Sequence, residues 1–439
     1  MHIKNDAPAH AQPAYGPGLF YIMLYLFMGY AALISLQAKL KDRLGITPAD
    51  VRATQAFQMC VASLFISNGA ARIIHNYALR ALQPPARIRV AVFCMSAAMA
   101  LGGWVYAARA RAWGALAAMH ILGGLGVGIG ETNLITVAGA YARPTQRNTQ
   151  LGIAGGFISV TVIGFLLMDA DVITPLHIYG FVCAALMLGF AASLAALAAR
   201  WDDTVAVAWA ASDARADPAA IPLLDFEFTG PGEEAPEAPE APEAPEAPAH
   251  RAGERLCGAT ECALWRTYWR YFLIMALNMF VLNLSSSLNL YLFDGEVVTL
   301  WPARARVRHD RWFAALYLVQ MLADGAARTA VFRARARAAP LRWAPLYALA
   351  AVALLAAPLV PLATLASSAF VFALNGALYA STTQVFKEGG FTPRTHALLT
   401  SFWFFTGDVG SAVASAGVQR VRSAWCAAPR VRAAGLCGL

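Results

Sequence analysis

Two residues of opposite charge sit four positions apart inside an apolar stretch: Asp324 and Arg328, within the run Phe313 to Phe332. One charge at the centre of a membrane helix costs roughly 2.5–3.5 kcal/mol on insertion scales. At i and i+4 the two share a helix face, where they neutralise each other and present a polar surface to a bundle interior. A carboxylate accepts from hydroxyls and a guanidinium donates to oxygens, so the pair suits a small polar solute. Its competing use is structural, as a clamp between two helices. Gln320 extends the same face by one turn. Other apolar stretches repeat the pattern. Asn68, Arg72 and His75 make one stripe, with His75 expected at the membrane interface. Glu131, Thr132 and Asn133 follow a glycine-rich approach from Gly123 to Gly130. Asn278, Ser285 and Asn289 share a face, Asn375 precedes Gly376, and Asp408 lies between Gly407 and Gly410. A single Asn or Ser in lipid is commonly interhelical glue. Polar stripes on several helices instead describe a central hydrophilic cavity. Glu131 and Asp408 are also acids in apolar spans, and a buried carboxylate there can carry a proton.

The elements that hold these residues are membrane spans. Of the 439 residues, 59% are hydrophobic and 14% charged, against about 25% charged in a soluble domain. The apolar residues cluster in lengths of about 20, enough to cross a hydrocarbon core of ~30 Å. Windowing places spans near 18–38, 55–76, 88–108, 114–140, 149–169 and 177–199, then near 271–293, 312–332, 343–362, 364–385 and 397–418. The sequence therefore divides into a polar tail at 1–17, a first helical half at 18–199, a hydrophilic linker at 200–270, a second half at 271–418 and a tail at 419–439. Five tandem Glu-Ala-Pro triplets, Glu234 to Pro248, mark the linker. Proline at every third position forbids a regular helix and the glutamates repel, so an extended, disordered spacer is expected there. Loop Lys and Arg are nearly balanced between the two sides. Orientation thus rests on the acidic linker, read as cytoplasmic, with the amino terminus inside and the carboxyl terminus outside.

Several function classes fall away. Residues 1–18 are polar and Pro-rich, without the apolar region of a cleavable signal peptide. Seven cysteines are scattered, and Cys257 and Cys262 lack partners for a zinc set. The net charge of +8 sits mostly in arginines flanking the spans, as topological anchors rather than a nucleic-acid surface. No phosphate loop, His-Glu-x-x-His helix or recognisable nucleophile set is present, so no enzyme is expected.

The later spans resemble the equilibrative nucleoside transporter family. The resemblance is carried by Asp324-Gly-Ala-Ala-Arg328 followed by Thr329-Ala-Val, and by Phe372-Ala-Leu-Asn375-Gly376-Ala-Leu-Tyr-Ala-Ser381. A basic loop with proline from Lys387 to Arg394 follows, then the glycine-rich Ser401-Phe-Trp-Phe-Phe-Thr-Gly-Asp-Val-Gly410. Asn133 to Pro144, with Gln150 to Gly156, is similar to that family's passage between the fourth and fifth helices. The chain departs from the pattern at Met321, where an asparagine is usual, at Ala327, where a glycine is usual, and at Ile34 to Gln37, where a tryptophan often stands.

The resemblance implies an all-α polytopic membrane protein of about 11 transmembrane helices, in a 6+5 two-half, major-facilitator-like transporter bundle. It implies a carrier of nucleosides or nucleobases, facilitative or proton-linked, working by alternating access around a midplane site. By that analogy Asp324 and Arg328 contact ribose hydroxyls and Asn133 contacts the base. Gln320, Asn375 and Arg72 complete the expected substrate set, and Glu131 and Asp408 are the candidates for proton coupling. Neither a cofactor nor a metal is expected. The expected partners are the solute and the lipid bilayer, without nucleic acid or an obligate protein partner, and the expected location is the cell membrane. The alternatives are a carrier of another small polar solute, such as a sugar, amino acid or drug, or a non-transporting scaffold or receptor. If the linker only tethers the halves, deleting three Glu-Ala-Pro triplets leaves uptake within about twofold of wild type; a scaffold would instead lose its function with them.

Overall fold

The structure, a computed structural model, describes residues 17–47, 50–79, 82, 84–139, 141, 143–191, 259–292, 297–300, 305–334, 343–356, 361–389, 391 and 393–427. The Glu-Ala-Pro repeats and both tails up to 16 and from 428 lie outside them. Each of the eleven spans read from the sequence overlaps a helix among these residues, although parts of the spans near 177–199 and 343–362 lie outside them. The first half contains α1 (Pro17–Ser35), the short α2 (Gln37–Arg43), α3 (Val51–Ala78), α4 (Pro84–Ala108), α5 (Trp113–Gly139), α6 (Arg143–Phe157), α7 (Phe165–Asp169) and α8 (Pro175–Ala184). A π-helical segment, Ile158–Gly164, joins α6 to α7 as one continuous rod, and α8 runs on through a second, Ala185–Gly189. The second half contains α9 (Ala259–Leu292), α10 (His309–Ala334), α11 (Ala344–Ala356), α12 (Pro361–Glu388) and α13 (Pro393–Ala427).

Local chemistry explains where the helices begin. Pro17, Pro84, Pro175, Pro361 and Pro393 each occupy a first helical position, where the missing N–H costs nothing and φ is already set. Asp50 caps α3 by accepting from the Ala53 amide at 3.0 Å. Among the described residues, seven rods are long and apolar enough to cross a membrane, counting α6 through α7 as one. α9 and α10, at 34 and 26 residues, are also long enough, and their polar faces make them less apolar.

Three boundaries differ from expectation. The first span breaks after Ser35, and α2 continues as a separate polar helix. α9 begins at Ala259, twelve residues before the expected start of the second half, because Trp265, Tyr268 and Phe272 bury against α12 and α13. α13 runs nine residues past 418. A two-stranded antiparallel hairpin, β1 (Val297–Leu300) with β2 (Ala305–Arg308), lies between α9 and α10 and interrupts the all-helical reading.

The two halves repeat their packing. α3 lies on α5 as α10 lies on α12, and α1 lies on α6 as α9 lies on α13. Between the halves, α3 meets α13, and the α6–α7 rod meets α10. Two glycines set close crossings beside the charged residues. A Cβ at Gly128 on α5 would lie 2.5 Å from the Asn68 carbonyl oxygen of α3, and one at Gly376 on α12 would collide with the Asp324 carbonyl of α10. Each glycine therefore lets two polar faces approach backbone to backbone. Gly376→Ala is expected to destabilise the protein by about 1–3 kcal/mol through overpacking. Gly325→Ala, whose Cβ meets only Leu151 at 3.5 Å, should be neutral or slightly stabilising. Thermal unfolding of the detergent-solubilised protein separates the two.

Candidate solute site between the halves

Arg72 is the hinge of the first charge cluster. Its Nη2 donates to Glu131 Oε2 at 2.7 Å and its Nε to Asp408 Oδ2 at 2.6 Å. Glu131 lies across the α3–α5 crossing that Gly128 permits, whereas Asp408 comes from α13 in the other half. Asn68, one turn before Arg72, donates to Asp408 Oδ1 at 2.9 Å. The guanidinium also lies 4.4 Å from the centroid of Phe404, one turn before Asp408, a cation–π contact strengthened by exclusion of water.

The second cluster belongs to the C-terminal half. Arg328 donates to Asp324 through Nε at 2.6 Å and Nη2 at 3.2 Å. Asn375 donates to Asp324 Oδ1 at 2.7 Å, across the crossing set by Gly376, and Asn278 donates to Asn375 Oδ1 at 2.8 Å. Tyr379 joins the clusters. Its ring lies 4.1 Å from the Arg328 guanidinium, and its hydroxyl donates to Glu131 Oε1 at 2.7 Å. A polar chain thus runs from Asn278 through Asp324 and Arg328 to Tyr379, Glu131, Arg72 and Asp408. All five charged side chains are at most 7% exposed.

These groups line one cavity between the halves, with about 140 Å³ open to the centres of water-sized molecules. The remaining wall is largely aromatic and aliphatic: Phe27, Tyr30, Phe157, Tyr317, Phe372 and Met321 all reach it. Arg328 Nη1 is buried there with no hydrogen-bond partner among the described residues.

The structure brings Asp324, Arg328, Asn375, Arg72, Glu131 and Asp408 to this cavity. Asn133 and Gln320 do not line it. The Asn133 amide donates to its own helix at Ile129 O, 2.7 Å away, and the residue is buried among neighbours. Gln320 lies between the wall residues Tyr317 and Met321 but is buried off the cavity, its Oε1 without a hydrogen-bond partner among the described residues. His75 is buried, with Nδ1 2.7 Å from Ala71 O. Tyr379, Tyr30 and Phe404 were not singled out from the sequence. Tyr379 follows Asn375, and Phe404 precedes Asp408, by four residues. That helix spacing was the available signal; an aromatic in an apolar run reads first as core.

Paired groups also link the halves at both ends of the cavity. On the hairpin side Lys39 of α2 meets Asp310 at 2.7 Å, and Asp169 meets Arg311 at 2.7 Å and Arg308 at 3.2 Å. On the opposite side Arg143 meets Glu388 at 3.1 Å, and Lys387 donates to Tyr141 O at 2.9 Å. Burial opposes ionisation of Asp310, but hydrogen bonds and charge from His309 and Lys39 outweigh it and hold the carboxyl below its usual range. A depressed carboxylate stabilises the fold above its unfolded pKa of about 3.9 and loses that effect only as pH falls through the lower folded value. The Asp310 carboxylate therefore stays ionised near neutrality.

Removing Arg72 strands two buried carboxylates. Arg72→Ala is expected to cost about 3–5 kcal/mol, and adding Asp408→Asn should recover part of it, a non-additivity readable by thermal unfolding of both variants. A loss in the double variant equal to the sum of the losses in Arg72→Ala and Asp408→Asn would show that the cluster is not energetically coupled.

No protein-family model matches the chain, and no curated protein sequence matches it. Solved structures with the same arrangement do. One is the crystal structure of the Major Facilitator Superfamily transporter FucP in the outward conformation: 15% identity over 95% of this chain and 94% of that one, TM-score 0.50. Another is the crystal structure of a bacterial homologue of the iron transporter ferroportin, outward-facing with soaked iron: 11% identity, 96% and 97% covered, TM-score 0.52. At such identities the likeness is one of fold. The chain has the major-facilitator fold, as a multi-pass integral membrane protein.

Proposed function

We propose that this protein is a carrier that moves nucleosides, or nucleobases, across the cell membrane by alternating access. The observation that supports this reading is the Asp324–Arg328–Asn375 cluster on the wall of a mostly aromatic cavity between the halves. Three donors already reach the two Asp324 oxygens: Asn375 and Arg328 Nη2 on Oδ1, and Arg328 Nε on Oδ2. A carboxylate offers about four acceptor sites, so one on Oδ2 is left for a solute hydroxyl. Arg328 Nη1 supplies the complementary donor. A vicinal diol matches such an adjacent acceptor and donor. Phe27, Phe157 and Phe372 offer ring faces and edges on which a planar base can pack. The resemblance at Asp324 to Arg328 and at Asn375-Gly376 points the same way.

Iron is the cargo named for one structural neighbour. Here the cavity carboxylates are engaged by guanidiniums. No group of three or more His, Cys, Asp or Glu among the described residues is arranged to hold a metal ion. The shared fold thus carries no argument for metal transport.

Uptake of labelled adenosine, uridine, hypoxanthine and glucose into proteoliposomes tests the reading. Saturable uptake of the nucleosides or hypoxanthine is expected, reduced at least tenfold in Asp324→Ala and Arg328→Ala. That corresponds to roughly 1.4 kcal/mol or more per lost charge-assisted contact. Asn133→Ala should keep the wild-type KM, because its side chain is turned to Ile129. Glucose uptake alone, by folded protein, would send the cavity to a different solute class.

A further inference from the structure

We infer that Asp408 is a proton-binding site and that its protonation releases Arg72, coupling one proton to the rocking of the two halves. The inference deepens the carrier reading and rests on it only for the transport measurements.

The cavity holds three carboxylates, Glu131, Asp324 and Asp408, against two guanidiniums, Arg72 and Arg328. With all five ionised, one negative charge is left over where little water can screen it. Arg328 is committed to Asp324 by two hydrogen bonds, so the excess falls on the pair that shares Arg72. A single monovalent cation balances it, and a proton on one carboxylate is the smallest that does.

The surroundings choose between the two acids. Glu131 accepts from Arg72 Nη2 and from the Tyr379 hydroxyl, and Tyr379 carries the Arg328 guanidinium against its ring. Glu131 thus lies near both cations. Asp408 accepts from Arg72 Nε and from the neutral Asn68 amide. The elements packed around it add no second positive charge. α1 brings the neutral Tyr30, α5 brings Glu131, and α3 continues from Arg72 to His75, whose ring is turned to Ala71. α9 meets Gly407 with Met275 and Met279, and its charged residues, Glu261, Arg266 and Arg270, are confined to its first turns. Tyr379 is the nearest titratable group of α12 and is spent on Glu131. Asp408 is the acid with one cation and one amide for company, so the proton belongs there.

The consequence follows from which half each residue occupies. Arg72 and Glu131 both ride on the first half, and Asp408 rides on α13 of the second. The Arg72–Asp408 ion pair therefore crosses the interface, whereas Arg72–Glu131 does not. A neutral Asp408 loses its ionic attraction for Arg72, which stays paired with Glu131. The α3–α13 contact then loosens while the first half remains intact. Protonation is an unlocking step, and Asp408 takes its proton from the same cavity that admits the solute.

Two measurements test this. The first needs no substrate: infrared difference spectra of the purified protein between about pH 5.5 and about pH 8. A carbonyl stretch of a neutral buried carboxylic acid is expected at the acidic end. It should vanish in Asp408→Asn and persist in Glu131→Gln. A spectrum without that band in wild type, or one whose band disappears with Glu131 instead, overturns the assignment. The second is nucleoside accumulation in proteoliposomes under an inward acid gradient. At one proton per solute, accumulation up to about tenfold for each pH unit is expected, accompanied by alkalinisation outside and lost in Asp408→Asn. Saturable uptake that ignores the pH gradient, or follows a sodium gradient instead, overturns the coupling while leaving the nucleoside reading in place. No nucleoside uptake, with the infrared band present at Asp408, would reject the substrate and keep the proton site.

Discussion

The Arg72 guanidinium, held between a carboxylate of its own half and one from the other, is the constraint on which the centre of the molecule depends. A buried ion that loses its partner is far more costly than one never buried. Five charged side chains meet in one cavity, so the helices that carry them have little freedom of register. α3 must cross α5 where Arg72 reaches Glu131, and α13 must present Asp408 to the same guanidinium. α12 must bring Tyr379 to Glu131 while Asn375 holds Asp324. Such a network contributes little net stability, since apolar packing of equal volume would do as well. What it contributes is a particular arrangement of six helices from both halves.

The repeated pairing of helices explains why the charges collect there. In each half a glycine brings two helices into backbone contact, Gly128 for α3 on α5 and Gly376 for α10 on α12. The polar residues flank those two crossings. Related halves placed side by side thus bring two polar crossings face to face across one cavity. Contacts between the halves grade outward from it. The links at the ends, Arg143–Glu388, Arg311–Asp169 and Lys39–Asp310, join side chains that are in part solvent-exposed, and exposed pairs are worth only about 0–1 kcal/mol each. On the carrier reading these can open in turn at either end, and the buried contacts at the centre decide whether the halves separate.

The sequence revealed the frame because a membrane demands it. Stretches of about 20 apolar residues have few other uses, so the described long helices were visible, and the charges inside them stood out against that background. Asp324 with Arg328, and Asn68 with Arg72, were legible as i, i+4 pairs. What escaped was the partner across space. Nothing local tells Arg72 that it will meet Asp408, 336 residues away. Tyr379 and Phe404 hid in plain composition, because an aromatic in an apolar span has no need of a polar reason. Asn133 misled for the opposite reason. It looked available as a carboxamide two residues from Glu131, but two steps along a helix turn a side chain by about 200°, and that took it from the cavity to the Ile129 carbonyl.

The departures from the resembled pattern carry their own information, since two of them fall on the cavity wall. Met321 lines the cavity where an asparagine is usual, and Ile34, which begins the Ile34 to Gln37 stretch where a tryptophan often stands, lines it too. Both changes remove a hydrogen-bonding group and leave the Asp324–Arg328 cluster alone. On the nucleoside reading, the groups facing the sugar are kept and the groups facing the base are made apolar. With Asn133 also turned away, few side chains remain to read the polar edge of a base. A site of that kind holds the base by its face, against Phe27, Phe157 and Phe372, and every base has a face. Affinity would then come from the sugar-facing pair and from burial of a flat ring. Discrimination among bases should be weak, and a free nucleobase should bind less well than its nucleoside, because it lacks the hydroxyls for which the Asp324 and Arg328 valences are left open.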